Sequence, residues 1–275
     1  FAVPGWDSFS NTTQFATLRS LSENNWRDEL NLYVDKFKLG RVIWPVMYCL
    51  NNPHIDDIVT EMKNRNLYLF DLWGYVPGSS TKTDWANYTP PAGLVKRIED
   101  KLGDHFLGMD NGEQDGRYIG GYSPQQCPSY NSRYMQYLNF QRHYERLGND
   151  LDNNLSALVS LCYGHYNIKE GNHKLIGAET AQGLPNSQVY YSFIRGAGKQ
   201  YGVHWFGNAS VFNRWGWKSY DTVDPGASGG YKCGPEEGTS LRLLKRLLYT
   251  QIMYNSVAVG FENGWLIHKS DAPNY

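Results

Sequence analysis

The feature that most constrains this chain is a repeated alternation. A short apolar run rich in β-branched and aromatic residues is followed by a longer stretch with apolar residues at helical spacing. Strands separated by helices do not pair as hairpins. They pair in parallel through crossovers, and helices cover the sheet. Eight strand-like runs are legible, at 1–6 (FAVPGW), 41–48 (RVIWPVMY), 67–72 (LYLFDL), 105–109, 155–163 (LSALVSLCY), 174–179 (KLIGAE), 203–206 and 256–261 (SVAVGF).

The intervening stretches read as helices. Residues 14–39 carry one or two. In HIDDIVTEMKNRN, Ile55, Ile58, Val59 and Met62 recur on one helical face. Pro91 opens the next helix, whose apolar face is Leu94, Val95, Ile98 and Leu102 and whose stop is Gly103. Residues 132–147 and 187–201 are helical, and Thr239 caps a helix over 240–255.

Eight strands alternating with helices predict an α/β chain with the (β/α)8 TIM barrel, as one domain over residues 1–275. The eighth helix is missing. Residues 263–275 are too few and too turn-rich to supply it, so the native chain is expected to continue beyond Tyr275. The competing fold is a doubly wound open sheet. It would want a phosphate-binding glycine loop after the first strand, and GWDSFSNTT is not one.

In a barrel of this kind the working residues lie at the carboxyl ends of the strands. There the sequence places Trp6 and Asp7, Asp71 and Trp73, Tyr163, Glu179, Trp205, and Glu262 with Trp265. The fourth strand runs into DNGEQDG, which carries Asp110, Glu113 and Asp115, with Gly112 and Gly116 allowing sharp bends. Strands four, six and eight thus each deliver a glutamate to one face. Paired carboxyl groups are what glycosidic cleavage requires: one protonates the leaving oxygen, and the other attacks the anomeric carbon or activates water. Glu113, Glu179, Glu262 and Asp110 are the catalytic candidates. Trp6, Asp71, Trp73, Tyr163, Trp205 and Trp265 are the substrate-binding candidates, since flat aromatic faces suit the C–H faces of sugars.

No metal site and no cofactor is expected. His165 and His204 lack companions at ligand spacing, and the acidic loop fails the EF-hand pattern at Gly112 and Gln114. Asp115 beside Arg117 reads as a surface charge pair. A net charge of -1 argues against nucleic acid or an anionic membrane as partner, and no apolar stretch is long enough to span a bilayer.

Four sequons occur, at Asn11, Asn87, Asn154 and Asn208, with four scattered cysteines, Cys49, Cys127, Cys162 and Cys233. An even count without a CxxC motif fits two disulfides, in any of about three pairings. Together they predict a secreted, extracellular glycoprotein. Phe1 is not an initiator methionine, so a removed signal peptide is expected.

On these features the chain resembles the (β/α)8-barrel glycoside hydrolases. The resemblance spans nearly the whole chain in architecture and rests on IGAET, GFENG and DNGE in motif. It implies hydrolysis of an oligo- or polysaccharide. Many retaining members carry the acid/base glutamate after strand four and the nucleophile after strand seven. Here VHWFGN offers no acid after strand seven, so the implied pairing is Glu113 or Asp110 with Glu179, and Glu262 is the third candidate. The competing function is non-catalytic. Sequons after the first, third and seventh strands would crowd the mouth with glycans, which suits a glycan-binding or self-assembling extracellular barrel.

Overall fold

The computed structural model describes residues 14–19, 26–36, 38, 40–45, 52–71, 91–110, 132–156, 164–180, 187–209 and 241–261. Eight strands, all paired in parallel, form one sheet. They are β1 (Gln14–Arg19), β2 (Val42–Pro45), β3 (Tyr68–Asp71), β4 (Phe106–Asp110), β5 (Leu155–Ser156), β6 (Leu175–Thr180), β7 (His204–Ala209) and β8 (Ala258–Phe261). Helices fall between them: α1 (Trp26–Leu30) with a π-helical segment (Asn31–Lys36), α2 (Ile55–Asn64), α3 (Leu94–Leu102), α4 (Arg133–Asp150), α5 (Gly164–Lys169), α6 (Ser187–Tyr201) and α7 (Leu241–Met253).

The strand order is β5-β4-β3-β2-β1-β8-β7-β6, so the first strand pairs with the last. Side-chain contacts show that the sheet is curled. Phe70 of β3 and Phe206 of β7 have ring centroids 5.3 Å apart, and Trp44 of β2 lies 5.5 Å from Phe206. Three strands separate β3 from β7 in the sheet. In a flat sheet four steps would hold them about 19 Å apart. The rings meet because the sheet wraps around them, and all three are at most 1 % exposed. Such aromatic contacts add about 0.5–1.5 kcal/mol per pair beyond area burial.

Outside the sheet, Ile55, Ile58, Val59 and Met62 of α2 and Leu94, Val95, Ile98 and Leu102 of α3 pack on Ile43, Leu69 and Met109. These are the residues the helical period singles out. Burial on both faces is why β4 reads as an unbroken apolar run rather than an alternating one. Gly103 ends α3 at φ 58°, a left-handed position where a side chain would be strained.

Between β5 and β6, Lys174 N donates to the Leu155 carbonyl at 3.1 Å. A polar cluster lies beside it. Lys174 Nζ donates to Asn154 Oδ1 (2.7 Å), and Asn154 Nδ2 donates to Glu99 Oε2 (3.1 Å) and to the Asp152 carbonyl (3.1 Å). Asn154 and Lys174 immediately precede β5 and β6, so this cluster ties the two strands at their amino ends.

Two expectations change. Residues 14–19 were expected to be helical; they form the strand between β2 and β8. Strand propensity is weak where pairing decides, and QFATLR carries no clear period. The expected first strand at 1–6 lies outside the described residues. A helix not expected, α5, occupies 164–169, directly after the run expected as the fifth strand. Residues 262–275, where the eighth helix was missing, lie outside the described residues.

Candidate active site at the carboxyl ends of the strands

Strand alternation fixes which side chains enter the curled sheet. Met109 packs among the helices, so the next residue, Asp110, faces inward; it closes β4 and is 0 % exposed. On β7, Trp205 packs on the helix side and Phe206 enters the aromatic floor, so Asn208 stands inward, one step above that floor. It is 1 % exposed. Asp110 and Asn208 are therefore buried polar side chains on the inner face near the carboxyl ends.

Register places the backbone of Glu179 beside Asn208. The Cα partners are Glu179 with Asn208, and Asn208 with Gly260. Ile176 and Ala178 belong to the helix-side core, which sets position 177 on the inner face. Asp71 ends β3 with its backbone paired to Met109. Thus Asp71, Asp110 and Glu179 all come at or next to the carboxyl end of a parallel strand, on one edge of the sheet. Glu113 and Glu262, Trp6, Trp73, Tyr163 and Trp265 lie outside the described residues. So do Asn11, Asn87 and all four cysteines.

Three sequence readings are corrected. Trp205 was expected to face sugar. Its indole is 4 % exposed, lies 5.8 Å from the Tyr191 ring of α6, and donates Nε1–H to the Tyr254 carbonyl at 3.1 Å. It is a sheet–helix core residue because it stands one pleat out of phase with Phe206. Asn154 was expected to carry a glycan, but it is 2 % exposed, and both oxygen and nitrogen of its amide are engaged. Asn208 was read as a glycan acceptor over the mouth; it points into the sheet. An amide linked to a sugar needs open solvent at Nδ2, and neither position has it.

The histidines fall away from this edge. His204 begins β7, at the opposite end from the candidate site. His165 lies on α5 between Tyr166 (4.0 Å) and Phe193 (5.2 Å), where burial lowers its pKa. Among the described residues no group of three His, Cys, Asp or Glu could hold a metal ion, and no helix among them is long and apolar enough to cross a membrane. Part of the aromatic content sits on outer helix faces, as Tyr134 (67 % exposed) and Tyr249 (63 %) do, and so does not serve a cleft.

Asn208 is the site residue that sequence reading assigned to another role. The signal was present: in HWFGNA, period two puts Phe206 and Asn208 on one face. The sequon Asn208-Ala209-Ser210 drew attention to the surface instead.

No family model matches this chain, and no curated protein does. Several solved structures are similar to it in overall course. One is a thermostable, halotolerant GH5 cellulase from an Icelandic hot spring isolate, 12 % identical, with TM-score 0.47, covering 95 % of this chain and 79 % of that one. Another is a putative alpha-L-fucosidase from Bacteroides thetaiotaomicron, 10 % identical, TM-score 0.46, covering 95 % and 88 %. A third is a GH10 endoxylanase from a sugarcane soil metagenome, 10 % identical, TM-score 0.36, covering 94 % and 68 %. The structure neighbours of this chain are thus glycoside hydrolases, at low identity and low TM-score.

Proposed function

We propose that the chain is a glycoside hydrolase on a closed (β/α)8 barrel, acting on an oligo- or polysaccharide with paired carboxyl groups. The observation that carries this reading is the position of Asp110. It is a carboxyl group buried on the inner face at the carboxyl end of β4, three residues before Glu113 in the sequence. Glu179 supports it from β6, where its backbone pairs with that of Asn208. A strand end inside a curled sheet is a rigid mount, and rigid mounting is what acid–base catalysis needs.

The roles follow from the chemistry. Glu113 is the general acid/base that protonates the leaving oxygen. Glu179 is the nucleophile or the base that activates water, and Glu262 is the third candidate. Asp110, at the end of β4, is the alternative to Glu113. A carboxyl separation of about 5–5.5 Å would give retention and about 6.5–9.5 Å inversion. Trp6, Trp73, Tyr163 and Trp265 would stack on the sugar. Secretion, with Cys49, Cys127, Cys162 and Cys233 in two disulfides, belongs to the same proposal. The competing, non-catalytic reading is a glycan-binding or self-assembling extracellular barrel.

The test is Glu113→Gln against a panel of 4-nitrophenyl glycosides and soluble polysaccharides. The expected result is a loss of sugar release of roughly 10²–10⁴-fold, with far-ultraviolet circular dichroism and melting temperature unchanged. Unchanged turnover in the variant overturns the assignment. Absence of hydrolysis by the wild type across the panel overturns the enzyme reading.

A further inference from the structure

We infer that a β-bulge at Leu107–Gly108 is what turns Asp110 onto the inner face of the curled sheet, and that Gly108 is thereby a positioning residue for the fourth-strand carboxyl group. The functional meaning of the bulge rests on the reading of that carboxyl group as part of a working site. The bulge itself rests on register, packing and backbone geometry.

Side chains on one face of a regular strand are two residues apart. Phe106 and Met109 are three apart, yet both lie in the helix-side core. The phase of β4 therefore changes between them. The ladder with β3 locates the change. Leu69 is paired with Phe106, but the next residue, Phe70, is paired with Gly108, and Asp71 with Met109. One step along β3 matches two along β4, so Leu107 is the extra residue. At Gly108 the backbone has φ 109°, a conformation that residues with a Cβ rarely adopt. An extra residue beside a glycine of positive φ marks a bulge, and a bulge re-aims the side chains that follow it. The ladder with β5 agrees with the new phase. Met109 is paired with Leu155, also in the helix-side core, and Asp110 with Ser156. Strict alternation from Phe106 would instead put Asp110 on the helix side, where α2 and α3 present Ile58, Val59, Val95 and Ile98. A carboxyl group buried among those side chains is costly. FLGMD thus delivers an inward acid only because Gly108 lets the strand absorb one residue.

The experiment compares melting temperatures of wild type, Gly108→Ala, a deletion of Gly108 and a deletion of Gly177. Gly108→Ala keeps the extra residue but denies it the backbone conformation, so its melting temperature falls by roughly 3–6 °C. In a regular strand the same change is neutral or favourable. Deleting Gly108 leaves Phe106, Leu107, Met109 and Asp110 in plain alternation, with Asp110 still inward. Deleting Gly177 does the opposite. β6 pairs with β7 residue by residue from Leu175 to Thr180, so a missing residue there throws Ala178 out of the helix-side core. The deletion at 108 therefore melts higher than the deletion at 177. A Gly108→Ala protein as stable as wild type overturns the bulge. So does a Gly108 deletion no more stable than the Gly177 deletion, two unfolded proteins included. If Gly108→Ala does not fold, the order of the two deletions decides. Positioning is read separately, on a 4-nitrophenyl glycoside that the wild type hydrolyses. Gly108→Ala lowers kcat by roughly 10–10²-fold with KM unchanged, and in an Asp110→Asn background it adds no further loss. An unchanged kcat, or a further loss in the double variant, overturns the positioning role. If the wild type hydrolyses nothing, the enzyme reading fails, and the melting temperatures still decide whether the bulge places Asp110.

Discussion

Asn154→Ala tests whether the polar cluster at the amino ends of β5 and β6 holds that part of the sheet together. Asn154 accepts from Lys174 Nζ at 2.7 Å and donates to Glu99 Oε2 and the Asp152 carbonyl, each at 3.1 Å. Two of these bonds go to charged partners, which when buried contribute about 1.5–3 kcal/mol each, and a neutral bond contributes about 1 kcal/mol. The partners are not deeply buried: the Lys174 and Glu99 side chains are 43 % and 31 % exposed, and their own 3.5 Å contact survives the substitution. Water recovers much of what they lose. The discounted cost is about 2–3 kcal/mol, or a fall of roughly 3–5 °C in melting temperature for a chain of this size. Urea unfolding reads it directly, as a lower midpoint at unchanged slope. Glycopeptide mass spectrometry of the folded wild type complements it, with an unmodified Asn154 expected. A loss below about 0.5 kcal/mol, or a glycan on that residue, would refute the argument that the amide is buried and engaged.

Burial holds the His173 imidazole down to about 3, beside the Tyr144 ring at 5.2 Å. The folded state therefore binds fewer protons than the unfolded chain between about 6.5 and 3. Stability is full above pH 6.5 and falls as the solution is acidified, by up to about 1.4 kcal/mol per pH unit from this group. Urea midpoints from pH 7 to pH 5 check it, and His173→Gln should flatten the slope. Gly198→Ala should destabilise. The added Cβ would lie 2.8 Å from the Val203 carbonyl oxygen, where α6 turns into β7. Overpacking of about 1–3 kcal/mol exceeds the gain of about 1 kcal/mol in helix propensity, and a more stable variant would contradict that contact. Trp205→Phe should lower stability by about 1–2 kcal/mol through the lost bond to Tyr254 and reduced packing. It should leave glycoside binding, read by calorimetry, unchanged.

The alternation of apolar runs was enough to reveal seven of the strands and, apart from α5, the helices between them, because each helix carries its own 3.6-residue stripe and each parallel strand its own apolar run. The residues Ile55, Ile58, Val59 and Met62 show this: they pack where their period says. The carboxylates Asp71, Asp110 and Glu179 were legible at strand ends for the same reason. Whether a strand end looks into the sheet or out to the helices was not. That depends on one residue of phase, and phase is set by neighbouring strands rather than by local sequence. It sent Trp205 into the helix-side core and Asn208 inward. Likewise Gln14–Arg19 has no decisive period of its own and became a strand by lying between β2 and β8. The sequon at Asn154 was visible in sequence. Its closure was decided by Lys174 and Glu99, which are distant along the chain and adjacent only once β5 and β6 come together.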